Sequence, residues 1–141
     1  MSSTYNDVRA AIEGRIATEM ALSPAYPVSY QNAPFTPPNN TPWIAVYLLF
    51  GTNNYATIQA PATGESCTRQ MGPLTIDVFT PIGVGAGANF TIAERIKDKF
   101  DRAKFSSIIF DPSQGPATIR PAEQEAFFQT QFSATFDAYL D

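Results

Sequence analysis

Val8, Ile12, Ile16 and Met20 recur four apart, with Tyr5 and Ala11 alongside, while Asp7, Arg9, Glu13 and Glu19 fall mostly elsewhere on the wheel. That period predicts an amphipathic helix over residues 3–22. Ser3 or Thr4 caps it, and Asp7 stands at capping-box spacing from Thr4 with a negative charge in the first turn. Ser23-Pro24 ends it, because proline disfavours helical backbone in the residue before it. Val28-Ser29-Tyr30 then reads as a short edge strand. Residues 31–42 include Pro34, Pro37, Pro38 and Pro42, too many missing amide donors for a central strand. They predict an ordered, extended arm; a polyproline ligand for a recognition module is the alternative.

Trp43 to Phe50 is apolar without interruption and is bounded by Pro42 and Gly51. A run of that length predicts a strand buried on both faces or sealed by a neighbour. Residues 51–64 read as a polar loop that presents Tyr55 and Ile58. From about Glu65 a second strand builds to Thr80, with Leu74, Ile76 and Val78 on one face. Strand, long loop and strand make an extended β-hairpin.

Pro81 to Gly87 is a glycine-rich turn. A helix from Asn89 or Thr91 to about Arg102 follows, with Phe90, Ala93, Ile96 and Phe100 directed inward. Phe105–Phe110 reads as a strand, closed by the turn Asp111–Gly115, and Thr118–Arg120 as a further short strand. The last stretch carries two periods. Phe128, Phe132, Phe136 and Leu140 recur every four residues, yet apolar and polar residues also alternate from Phe128 to Leu140. Phe, Thr and Tyr with unbroken alternation favour a strand. The fold class is therefore α+β: a twisted, largely antiparallel or mixed sheet, two helices packed on one face, and an extended β-hairpin.

At 141 residues and 44% hydrophobic, the chain suits one domain over 1–141 with a closed core, domains commonly running to about 100–150 residues. Charged residues are only 16%, against roughly 25% in soluble domains, so part of the surface is expected to be covered by a partner. Nine basic and 13 acidic residues leave a net charge of -4. Nucleic-acid binding needs clustered cations, and the only locally basic stretch, Arg95 to Lys104, is broken by Asp98 and Asp101. It predicts a solvated helix face with Glu94–Asp98–Arg102 pairing four apart. No apolar run approaches the roughly 18 residues of a membrane span, and the first residues lack a signal-peptide core. A soluble protein that crosses no membrane is expected.

Histidine is absent and Cys67 is the one cysteine. The commonest general base and metal ligand, any internal disulfide and any thiolate cluster are thereby excluded. Glu123 and Glu125 stand two apart in a polar turn, and Asp77, inside a strand, is expected on the solvent face. Cys67 and the serines lack a base. Neither catalysis nor a cofactor is expected. Gly83–Ala88 matches G-x-G-x-x-A between a strand and a helix, with Asp111 ending the next strand, the outline of a dinucleotide fingerprint. Against it, the preceding strand carries Thr75 and Asp77, no βαβ pattern precedes it, and too little chain follows for a second half. A turn using glycine backbone angles is the alternative.

What remains is surface: the arm with Phe35, Pro37 and Pro38, and the loop with Tyr55 and Ile58, as patches for neighbouring subunits. Trp43, Tyr47 and Phe127 are candidates of the same kind, with core placement favoured. The ordered pieces Asp7–Ala17, Val28–Pro38, Pro42–Phe50, Gly72–Gly87 and Ala93–Phe100 resemble the small tail terminator-like (tail completion) proteins of long-tailed bacteriophages. The most specific are Asn32-x-Pro34-Phe35-x-Pro37-Pro38 and Asp77-Val78-Phe79-x-Pro81. The resemblance spans roughly residues 5–141. It implies a virion structural protein rather than an enzyme, and a homo-oligomeric ring, commonly hexameric. Such a ring caps the tail tube, stops its polymerisation and offers a head-joining surface. The implied partners are further copies of the chain, the tail tube protein and head-tail connector or neck proteins, with DNA only passing through. The implied place is the head-proximal end of the virion tail, assembled in the host bacterial cytoplasm. A neck or head-completion connector is the related alternative. The loop 51–64 departs from many relatives in lacking charged residues.

Overall fold

The structure, a computed structural model, describes residues 4–38, 40–55, 68–83, 85–120 and 127–140. Helix α1 (Tyr5–Met20) begins at a complete capping box. Thr4 Oγ1 accepts from the Asp7 amide at 3.1 Å, and the Asp7 carboxylate accepts from the Thr4 amide at 3.0 Å. Val8, Ile12, Ile16 and Met20 are its buried stripe, as the spacing predicts. Its last turn holds no basic residue, so its free carbonyls are met from elsewhere. Arg95 donates to the carbonyls of Glu19 at 2.7 Å and Pro24 at 2.8 Å, and to the Glu19 carboxylate at 3.2 Å.

Strands β1 (Val28–Ser29), β2 (Trp43–Leu48), β3 (Asn53–Tyr55), β4 (Thr68–Pro81), β5 (Lys104–Phe105), β6 (Ile108–Phe110), β7 (Gln114–Arg120) and β8 (Phe127–Leu140) form one sheet. Helix α2 (Gly87–Phe100) lies between β4 and β5 in the chain. The order is β1-β2-β4-β8-β6-β5, with β3 also on β4 and β7 also on β8. Among the described strands only β1 and β2 pair in parallel, and the arm between them replaces the usual helical crossover. The last element is a strand. Its register with β4 runs unbroken from Thr68↔Leu140 to Pro81↔Phe127.

Alternation along these strands gives the sheet two faces. Ile44 and Val46, Leu74, Ile76 and Val78, and Phe132 to Leu140 at every second position turn to one face, where they form the core with α1 and α2. Helix α2 turns Ala93, Ile96 and Phe100 inward as expected, and its first turn buries Asn89 in place of Phe90. Asn89, Ile92, Ala93, Ile96 and Phe100 are buried, and Phe90 is 49% exposed. The cause is polar. The Thr80 hydroxyl donates to Asn89 Oδ1 at 2.7 Å, and Asn89 Nδ2 donates to the Val78 carbonyl at 3.2 Å and Thr130 Oγ1 at 3.3 Å. A buried amide with these partners satisfied holds the helix start against both long strands.

Other expectations are corrected. Residues 105–110 do not make one strand: Ser106 takes φ 51° and the chain doubles back into β5 and β6. Of Trp43–Phe50, only Trp43 to Val46 are buried, Tyr47 and Leu49 being 46% and 62% exposed. The loop 51–64 opens with β3, which pairs Asn53 to Gln70 and Tyr55 to Thr68. Arg102 lies beyond α2 at φ 53° and pairs with Asp101 at 3.2 Å, so the Glu94–Asp98–Arg102 row does not form.

Between its pairings with β3 and β2, β4 passes Gly72. There a Cβ would collide with the Leu49 carbonyl oxygen, a backbone atom with no freedom to step aside. Gly72→Ala is expected to cost about 1–3 kcal/mol through the forced backbone shift, read as a lower urea midpoint with an unchanged m-value.

Candidate functional site

The helix-free face of the sheet carries the surface residues of interest. At its β1 end, the Trp43 ring stacks on Phe79 with centroids 4.2 Å apart, and Phe127 meets Trp43 edge-on at 5.7 Å. Phe35 of the arm lies 5.1 Å from the same indole. Burying aromatic faces against each other fixes the arm on the sheet. Gln31 Oε1 adds a second anchor by accepting from the Leu48 amide at 2.8 Å. Phe35 is thus half-buried within its own chain, as is Pro38, while Pro37 is exposed. Trp43 is a core residue of this cluster, as favoured, and Phe127 is half-buried; Tyr47 is not core.

Tyr55 ends β3 opposite Thr68, whereas Trp43 pairs with Phe79. At about 3.3 Å per residue the path along β4 between those points is about 36 Å. The arm and the Tyr55 end are therefore two separate surfaces, not one site. Ile58 lies outside the described residues, as do Cys67, Glu123 and Glu125. Between the two ends, Tyr47 and Leu49 stand exposed beside Thr75 and Pro73, their register partners or hydrogen-bonded neighbours. Ile109, opposite Asp137, adds a third exposed apolar side chain on this face. Arg69 and Asp137 neutralise each other here at 2.9 Å. Nothing in the unbroken apolar run marks Tyr47 and Leu49 as outward; the extent of the arm decides it. Asn89 had a signal, since it stands three and seven residues before Ile92 and Ile96 on the buried stripe.

The glycine turn does not make a dinucleotide site. Gly83 and Gly85 take φ of 89° and 85°, which is the turn reading, and α2 starts at Ala86 without a side-chain cap. Thr80 beside that turn pairs with Phe128, while Asp111 is bonded to Thr135 further along β8. The strand after the helix is separated from β4 by β8, so no adjacent parallel pair forms a crevice for phosphates. Among the described residues no three His, Cys, Asp or Glu side chains cluster to hold a metal ion, and no helix is long and apolar enough to cross a membrane.

Asp77 is only 6% exposed, against the expectation of a solvated position. It lies between Ala45 and Gln131 in the sheet, and Gln131 Nε2 donates to its Oδ1 at 3.0 Å. Burial pushes its carboxyl above the ordinary value, and hydrogen bonds from Gln131 and Gln129 offset part of that. A carboxyl raised on folding binds protons more tightly in the native state, so its contribution to stability falls as pH rises from about 4 through the folded value. Asp77→Asn keeps an oxygen for Gln131 and removes the charge. Its thermal midpoint is expected to match or exceed that of the parent at pH 7–8, with the difference closing as pH is lowered towards 4.

Residues 7–105 match the family model described as phage tail terminator protein. Eleven chains of solved structures match. One of them is 25% identical with a TM-score of 0.68, the alignment covering 96% of this chain and 95% of that one. No curated protein matches. The chain belongs to the phage tail terminator protein family and is a structural component of the bacteriophage tail, and so of the virion.

Proposed function

We propose that the chain assembles into a homo-oligomeric ring, a hexamer, on the head-proximal end of the tail tube. The ring ends tube polymerisation and gives the head connector its docking surface. The family match over residues 7–105 carries this reading. The geometry supports it in two ways. A ring of identical subunits needs two different, complementary patches on each copy. The arm with Pro37 and Pro38 and the Tyr55 end lie at opposite ends of β4. Secondly, a subunit with net charge -4 suits a channel through which DNA passes without being retained.

In this reading Tyr55 and Ile58 contact the next subunit or the tube, and the arm, pinned through Phe35, presents Pro37 beside Pro38. Negative-stain imaging with mass measurement is expected to show closed rings, and rings seated on the ends of purified tail tubes. Binding to portal-side neck proteins in place of tubes would overturn the assignment. The Tyr55→Ser/Ile58→Ser double variant is expected to lower ring yield or tail joining at least tenfold, measured as ring mass and as infectivity of reconstituted particles.

A further inference from the structure

A groove of about 380 Å³ runs beside α1, walled by Ala11, Arg15 and Leu22 on one side and by Lys99 and Phe105 on the other. Arg15 is set within it. Its Nε donates to the Lys99 carbonyl at 2.7 Å, and its guanidinium carbon lies 4.5 Å from the centre of the Phe105 ring. The two terminal nitrogens of that guanidinium make no hydrogen bond among the described residues. Lys99 Nζ stands 3.8 Å from Glu19, a carboxylate that Arg95 already engages. Glu19 also lines the groove, paired with Arg95 and Lys99, so the groove combines two cations and one paired carboxylate with the apolar surface of Leu22, Ala11 and Phe105.

A matching surface stands on α2. Phe90, Glu94 and Asp98 recur four apart on its outward side and are exposed. Neither carboxylate makes an ion pair among the described residues, and Lys97 does not reach Glu94. Two like charges four apart on a helix repel, and in this chain Arg102 does not relieve them. At about 1.5 Å per residue the ridge from Phe90 to Asp98 is about 12 Å long, as is the helical part of the wall from Ala11 to Glu19, with Leu22 beyond the helix end. Length, charge and apolar anchor agree.

We infer that the Phe90–Glu94–Asp98 ridge of one copy docks in the Arg15–Lys99 groove of a second copy, Phe90 against Leu22 and Ala11 and the carboxylates on the two cations. The contact is heterologous, since ridge and groove are different surfaces, and it repeats from copy to copy. It rests on the self-association proposed above and adds to the arm and the Tyr55 end a further contact between copies.

Charge exchange in the full chain tests it, by sedimentation over a concentration series, alone and on purified tail tubes. Arg15→Glu alone and Glu94→Arg/Asp98→Arg alone are each expected to weaken self-association at least tenfold. An equimolar mixture of the two is expected to restore it, because every contact in the mixed assembly joins opposite charges. Phe90→Ser, which alters only an outward side chain, is expected to weaken association similarly and serves if Arg15→Glu fails to fold. Folded variants that associate as the parent does, or a mixture that stays dissociated, overturn this contact and leave the ring reading standing. A parent chain that never self-associates, alone or on tubes, overturns both.

Discussion

The antiparallel ladder between β4 and β8 is the constraint from which the rest of the molecule follows. Fourteen residues on each strand are paired without a break, and the ends of this ladder come from distant parts of the chain. Each strand carries two short strands on its outer edge: β3 then β2 on β4, and β7 then β6 on β8. No short strand spans the length of its host, so both edges of the sheet are stepped. The pleat then divides the side chains into a face closed by α1 and α2 and a face that, among the described residues, the arm and its aromatic cluster partly cover.

Few charges are present and several of them serve the fold. Arg95 supplies the positive end that α1 lacks in its own last turn, and the same guanidinium lies over the Tyr26 ring at 5.6 Å. Its placement ties the start of the arm region to α2. Asp101 accepts from both the amide and the hydroxyl of Ser113, at 2.7 and 2.9 Å. These bonds hold its carboxyl below the ordinary value and fix the exit of α2 against the chain entering β7. What is left for partners is chiefly apolar or like-charged surface: Tyr47, Leu49, Phe90 and the Glu94–Asp98 row.

The regular elements were legible where one period dominated. Val8, Ile12, Ile16 and Met20 specify α1, and Thr4 with Asp7 its start, because a helix end demands partners that those side chains provide. Alternation from Phe128 to Leu140 specifies β8 even though a four-residue period runs through the same residues. Local pattern is insufficient where a long-range contact decides the outcome. Asp77 is buried because Gln129 and Gln131 lie on the neighbouring strand, a pairing no local window contains. Phe90 faces outward because Asn89 finds Thr80 and Thr130. The single strand expected at 105–110 breaks because Ser106 adopts a left-handed conformation that its residue type does not announce. For the candidate surfaces, the arm was visible in its prolines. That Phe35 is spent on Trp43, and that the arm lies far from Tyr55, belongs to the tertiary structure.

The buried amide of Asn89 acts as an alignment pin. Strict alternation protects the long ladder against a slip of one position, which would turn every apolar side chain outward. A slip of two positions leaves the apolar pattern intact and is invisible to hydrophobicity. It would, however, carry Thr130 away from Thr80 and leave the amide in a dry interior with the Val78 carbonyl but without its partner on β8, at a cost of about 1–3 kcal/mol for the lost bond. One polar residue on a helix thereby selects a single frame for two strands, and so fixes how far the two stepped edges of the sheet are offset from one another.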